Sequence, residues 1–215
     1  MIPMTEETEC PRCGQGYIKR TLVSGNTFGG RLWSDGKAEY PMMPDFPVIT
    51  RCDHCLNYFW VNGSQDLDDP LSHQRRAGLV RDDILSSEEM PFVRFLTVDE
   101  YADALMRRKY KGARQHKQLR MLLWWAINDT VRDDHRSDIL PEYTDYFEEN
   151  LETLIRLSPT EGAENLLLQA EMHRELGLFG EALSYLSMIR DEEYQPIVVK
   201  MKDQIARRNR NVFLL

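Results

Sequence analysis

The residues with the most chemistry to offer are the four cysteines, placed as Cys10-Pro11-Arg12-Cys13 and Cys52-Asp53-His54-Cys55. Each pair is a C-x2-C step, and 38 residues separate the two pairs. Two thiolates three positions apart can point inward from one tight turn, and two such turns facing each other present a tetrahedral sulfur set. Zn2+ suits that set, at about 2.3 Å from each sulfur. Pro11 fixes a backbone angle inside the first turn, and Gly14 can take the left-handed conformation that aims amides back at the sulfurs. Leu56 holds the place of that glycine after the second pair, which predicts a less regular turn there. Four thiolates leave no position for water, so the expected role of the ion is structural. Two disulfides would need an oxidising compartment, a redox pair would lie near a βαβ pattern, and iron accepts the same four ligands. Zinc on Cys10, Cys13, Cys52 and Cys55 is the reading that the spacing favours, with His54 pointing away from the ion.

The other reactive side chains form no recognisable catalytic motif. The histidines are His54, His73, His116, His135 and His173, and no H-E-x-x-H occurs. His173 falls on the inward face of a helical pattern, where packing accounts for it. Neither G-x-S-x-G nor a phosphate-cradling G-x-x-x-x-G-K-[ST] is present. The glycines from Gly25 to Gly30 lie between strands, with no helix after them to receive an anion. Ser24, Asp35 and Lys37 are accounted for by a loop and a hairpin turn. The expectation is a non-enzymatic protein with no catalytic residue and no cofactor other than the structural metal.

Charge supplies the remaining signal. Arg107, Arg108, Lys109, Lys111, Arg114, Lys117 and Arg120 fall within 14 residues that contain no acid, and Lys200, Lys202, Arg207, Arg208 and Arg210 cluster near the C-terminus. Such patches hold phosphates or an acidic partner; they also suit solvated helix C-termini, where the dipole welcomes cations. Lys and Arg total 27 against 35 for Asp and Glu, giving a formal charge of -8, which counts against a protein that coats nucleic acid. Residues 1–65 carry six basic and seven acidic side chains, and a tetrathiolate zinc adds about -2, so this part is a poor reader of phosphate.

These groups must be held by two kinds of scaffold. Strand patterns cover Tyr17–Val23, Arg31–Trp33, Ala38–Tyr40, Val48–Thr50 and Tyr58–Val61, with Asp35-Gly36 marking a hairpin. This predicts a zinc ribbon over residues 1–65 with a long insert between its metal-binding turns. Residues 66–96 read as a linker with a short helix. From 97 to 215 the helical period dominates: a capping box at Thr97 and Glu100 opens a helix over 98–110, and a second follows near 114–131. A third carries Tyr143, Tyr146, Phe147, Leu151, Leu154 and Ile155 on one face. Ser158-Pro159-Thr160-Glu161 reads as the cap of a fourth, which Gly177 ends. Two more follow around 182–189 and 194–205. The adjacent Trp124 and Trp125 lie about 100° apart on a helix, so burying both needs packing on two sides. The longest apolar run, Met121–Ile127, has seven residues against the roughly 20 that span a bilayer. Met1–Glu7 has neither the basic start nor the apolar stretch of an export signal, so the expected location is cytoplasmic.

The stretch from Ala163 to Ile189 resembles a tetratricopeptide repeat, with Ala170, Leu176, Gly177, Phe179, Ala182 and Leu186 in the order of that motif's second half. The small residues at 170 and 182 allow two antiparallel helices to approach closely. The whole plan resembles a group of uncharacterised bacterial proteins with an N-terminal four-cysteine zinc ribbon and C-terminal tetratricopeptide-like helices. Ser24-Gly25-Asn26-Thr27, Trp33-Ser34-Asp35-Gly36-Lys37 and the run from Cys52 to Trp60 carry that likeness. It implies zinc and a place inside the cell, and brings no activity with it. The expected fold class is therefore α+β: a small β-rich zinc ribbon, then an all-α helical-repeat domain. The expected function is that of an adaptor whose helices bind a protein partner; a nucleic-acid-associated factor using the 107–120 patch is the alternative, and no membrane role is expected.

Overall fold

The computed structural model describes residues 2–61, 90–132, 139 and 141–215. The short helix expected within the 66–96 linker falls almost wholly outside these residues. The chain forms two compact units that are not contiguous in sequence: Met1–Gly25 with Asp45–Leu96, and Asn26–Pro44 with Thr97–Leu215. The long insert between the metal-binding turns thus packs with the helices, whereas its strand signals alone assign it to the ribbon.

The first unit is built from one device used twice. Strand β1 (Ile2–Glu9) pairs antiparallel with β2 (Gly16–Ser24), in the register Glu9 to Gly16 and Glu6 to Lys19. Strand β1 is absent from the sequence expectations, because Pro3 and three glutamates obscure its alternation. The turn that holds Cys10 and Cys13 joins β1 to β2, so the residues just before Cys10 are where a ribbon places its first strand. Lys19, only 6% exposed, pairs with Glu6 at 2.8 Å. The strands around the second turn, β5 (Ile49–Arg51) and β6 (Tyr58–Trp60), pair in the same antiparallel sense. The segment after residue 90 returns beside β2. Ile18 exchanges backbone hydrogen bonds with it, donating to the Pro91 carbonyl and accepting from the Val93 amide, both at 2.9 Å. The Thr50 hydroxyl donates to the Arg94 carbonyl at 3.0 Å.

In the second unit, β3 (Arg31–Leu32) and β4 (Ala38–Glu39) form a hairpin. Six α-helices follow among the described residues: α1 (Val98–Met106), α2 (Gly112–Arg132), α3 (Thr144–Leu157), α4 (Ala163–Glu175), α5 (Phe179–Met188) and α6 (Gln195–Ala206). Helix α1 starts at the expected capping box: the Thr97 side chain accepts from the Glu100 amide, and the Glu100 carboxylate accepts from the Thr97 amide. Each helix packs on its neighbours in sequence, α1 on α2 through to α5 on α6. Ala170 and Ala182, both 0% exposed, allow the close approach of α4 and α5, and Leu166, Leu186, Val198 and Met201 join them in one buried cluster shared with α6. The mixed architecture is that of the α+β class.

Helix ends depart from expectation in an instructive way. Helix α4 begins at Ala163, not at the Ser158-Pro159 cap; Ser158 is extended (φ -96°, ψ 135°) and ends α3. Helix α1 stops at Met106, short of the expected residue 110. Arg108 there has φ 51°, its amide donates to Leu105, and the Lys109 amide donates to Ala104. Arg208 (φ 55°) closes α6 in the same way, with Asn209 donating to Gln204. This is the closure that Gly177 (φ 80°) makes after α4. No helix of the described residues is long and apolar enough to cross a membrane.

Candidate metal centre

The sulfur positions follow from the duplicated turn. The Cys10 amide donates to the Gln15 carbonyl and the Gly14 amide to the Cys10 carbonyl, each at 2.9 Å. In the second turn Cys52 donates to Asn57 and Leu56 to Cys52, again at 2.9 Å. Leu56 takes φ 58° where Gly14 takes 73°. The second turn is therefore as regular as the first. What distinguishes it is backbone strain: a side chain in the left-handed region costs about 1–2 kcal/mol.

The two turns bring all four sulfurs within 4.8 Å of one another. Cys10 Sγ lies 3.6 Å from Cys55 Sγ, and Cys13 Sγ lies 3.6 Å from Cys52 Sγ. The close approaches run between turns rather than within them. They are far longer than the roughly 2.05 Å of a disulfide. Ligands at about 2.3 Å from a central ion would stand roughly 3.8 Å apart along a tetrahedron's edge. The four cysteines can hold a metal ion. Cys10 and Cys52 are buried, Cys55 is half-buried and Cys13 is exposed. His54 is exposed.

An aromatic pair backs the sulfurs. Tyr17 and Phe59 each stand seven residues after the first cysteine of their own turn. Their ring centroids are 5.7 Å apart, and both rings pack with Cys10 and Cys52 in one buried cluster. The Asp53 amide donates to the Tyr17 hydroxyl oxygen at 2.8 Å.

The electrostatics of the sulfurs without a cation are uneven. Burial pushes the Cys52 thiol up, but the Tyr17 hydroxyl and the Cys55 and His54 amides outweigh it and draw it down to about 6. At Cys13 the Gln15 amide pulls down, while partial loss of hydration and the sulfurs of Cys55, Cys52 and Cys10 push the thiol up to about 12. Cys10 is raised, chiefly by burial. Sulfurs this crowded resist sharing several negative charges, and a central cation relieves that repulsion.

The remaining candidates are dispersed. His173, 8% exposed, sits on α4 with Nδ1 2.7 Å from the Gln169 carbonyl, in a packing role. Ser24 ends β2, whereas Asp35 and Lys37 belong to the second unit. Of the basic cluster, Arg120 ties α2 to α3, donating to Asn150 Oδ1 at 3.3 Å and to His116 Nε2 at 2.9 Å. Lys111, Arg114 and Lys117 surround the N-terminus of α2, where the dipole repels cations. At the other end of the chain, Arg210 donates to the Glu175 carbonyl at 2.8 Å and Arg207 pairs with Asp203 at 3.0 Å.

Sequence reasoning missed a buried ionic dock. Asp35 is 0% exposed, its Oδ2 lying 2.6 Å from Arg132 Nη2 and 3.0 Å from Asn128 Nδ2. Its carbonyl accepts from the Trp125 indole at 3.1 Å. Lys37 Nζ meets both Asp129 oxygens at 2.7 Å. Arg132 also stacks on Trp33, 4.7 Å from the ring centroid. In sequence the Asp-Gly step explains itself as a turn, which hides its second duty. Trp124, 0% exposed, donates its indole N–H to Glu175 at 2.7 Å, so the two tryptophans do pack on two sides, one on α4 and one on the hairpin. No protein-family model matches the chain, and neither the curated proteins nor the solved structures contain a significant match to it.

Proposed function

We propose that the protein is a structural-zinc protein of the cytoplasm, in which a four-cysteine ribbon and a tetratricopeptide-like helical body together serve as a non-enzymatic adaptor for a protein partner. The observation that carries the metal reading is the convergence of four sulfurs, from two equivalent turns, within 4.8 Å. Zinc is preferred because an all-thiolate tetrahedral set suits a borderline-soft ion with no geometric demands of its own. The adaptor reading draws on the successive packing of α1 to α6, each on its sequence neighbours, an arrangement that repeat proteins use to present extended surfaces. Elemental analysis of the purified chain tests the metal: one zinc per chain is expected, and substitution by Co2+ should give the intense sulfur-to-cobalt absorption of a tetrahedral thiolate site. Cys10→Ser with Cys52→Ser should abolish both. For the adaptor, affinity purification of the full chain should recover one specific protein in amounts comparable to the bait; recovery of none would overturn that half of the proposal.

A second reading, a nucleic-acid-associated factor, draws on Lys111, Arg114 and Lys117 being placed against the α2 dipole. It requires binding to RNA or DNA at low salt that weakens when Arg107, Arg108 and Lys109 are replaced by Ala, and it fails if no such binding is seen.

A further inference from the structure

The insert between the two metal-binding turns leaves the first unit after Gly25, docks within the second, and re-enters the first at Asp45. Its anchorage is strong at the tip. Asp35 and Arg132 have side chains 0% exposed, and the Ser34 amide donates to the Phe213 carbonyl at 2.9 Å. The Leu215 amide donates to the Leu32 carbonyl at 2.8 Å, so the C-terminal tail lies beside the hairpin and clamps it. A Cβ on Gly36 would come within 3.2 Å of the Leu168 side chain, so the turn is closely seated on α4 as well.

We propose that metal retention by the cysteines and docking of the Trp33–Lys37 turn on α2 are linked equilibria, an inference that rests on the metal reading above. Cys13 and Cys52, one from each turn, bound the chain that carries the insert. An ion that joins the turns brings the two ends of the insert together and so removes part of the chain entropy that docking must otherwise overcome. By reciprocity, a docked insert holds the two half-sites close and raises their affinity for the ion. Asp35 and Arg132 thereby act on the metal without touching it, as positioning residues. Linkage also gives the Ser34-Asp35-Gly36-Lys37 turn a role that a plain hairpin lacks.

The full-length chain provides the test. Zinc affinity is measured by competition with a chelator for the wild type, Asp35→Asn and Asp35→Ala. Weakening of roughly tenfold is expected for Asp35→Ala, within the 5- to 150-fold range usual for coupled sites, and less for Asp35→Asn, which keeps the shape and some hydrogen bonds. Because Asp35→Ala removes one of the two carboxylates that meet the buried Arg132 guanidinium, the other being Asp129 at 2.9 Å, and can unfold the unit, hydrogen exchange on the unmutated protein supplies a second readout. Stripping the metal should speed exchange at the amides of Trp33, Ser34 and Leu215 while leaving those of α5 and α6 unchanged. If zinc binds but neither the Asp35→Asn affinity nor hairpin exchange in the stripped wild type moves, the linkage is refuted and the metal site stands. If the wild type takes up no metal, both readings fall.

Discussion

At the level of single residues, the two metal-binding turns differ in one respect that stability can report. Gly14 and Leu56 share a left-handed backbone, and only the glycine holds it without penalty. Leu56 is 54% exposed, so little packing is lost by trimming it. Leu56→Gly should therefore raise the stability of the metal-loaded ribbon by about 1 kcal/mol, and Gly14→Ala should lower it by a similar amount. Space does not decide the second case, since a Cβ at Gly14 would meet nothing within 4 Å. Urea denaturation of the zinc form measures both. The cysteines are legible in sequence because a C-x2-C spacing has few other uses, whereas the strain at Leu56 is not: leucine carries no mark of a left-handed residue. Asp35 is illegible for a different reason. Its local role in an Asp-Gly turn is sufficient, and nothing in the chain links it to Arg132, 97 positions away.

Among the elements, helix ends are the least readable feature and the buried carboxylate of α4 is the most consequential. Sequence signals place the end of α4 correctly because Gly177 advertises the left-handed cap, but Arg108 and Arg208 make the same cap without advertisement. Arg108→Gly should stabilise α1 by about 1 kcal/mol, and Gly177→Ala should cost α4 about the same, as read from thermal midpoints. Glu175 raises a separate issue. Burial, then the negative charge of Glu171, push its carboxyl well above the usual range against the pull of Arg174; Asp35 adds to the push, and the Trp124 indole opposes it. In the unfolded chain the same carboxyl ionises near 4.5. Above that pH the folded state holds a proton that the unfolded state has lost, so Glu175 makes stability fall as pH rises, by up to about 1.4 kcal/mol per pH unit until the folded group ionises. Glu175→Gln keeps an oxygen for the Trp124 N–H and removes the titration. Its thermal midpoint should exceed that of the wild type at pH 8 and match it near pH 4.5; equal midpoints at both would show that Glu175 is not held neutral.

For the molecule as a whole, the division into units decides which fragments can stand alone. Reading the sequence as ribbon, linker and helical half follows the change of period along the chain; among the described residues the strands end by Trp60 and the α-helices begin at Val98. It is blind to the insert, since two short strands with glycine-rich turns look like ribbon wherever they pack. A fragment of residues 97–215 would retain α1 to α6 but lack Asp35, leaving Arg132 without the carboxylate that it meets at 2.6 Å. Removing one partner of a buried ion pair costs roughly 3–5 kcal/mol where the other charge is left uncompensated, and the Asp129 carboxylate, 2.9 Å from Arg132, lowers that cost here. The C-terminal tail would also lose the backbone bonds that join Phe213 to Ser34 and Leu215 to Leu32. The fragment should melt well below a chain in which residues 26–44 are joined to 97–215 by a short flexible linker. Adding a peptide of residues 26–44 to the fragment should restore part of the difference, and the same peptide carrying Asp35→Ala should restore much less. Calorimetry of these samples measures this directly. A fragment as stable as the joined chain would mean that the hairpin rests on the helices without contributing to their fold, and the partner search could then use the helical half alone.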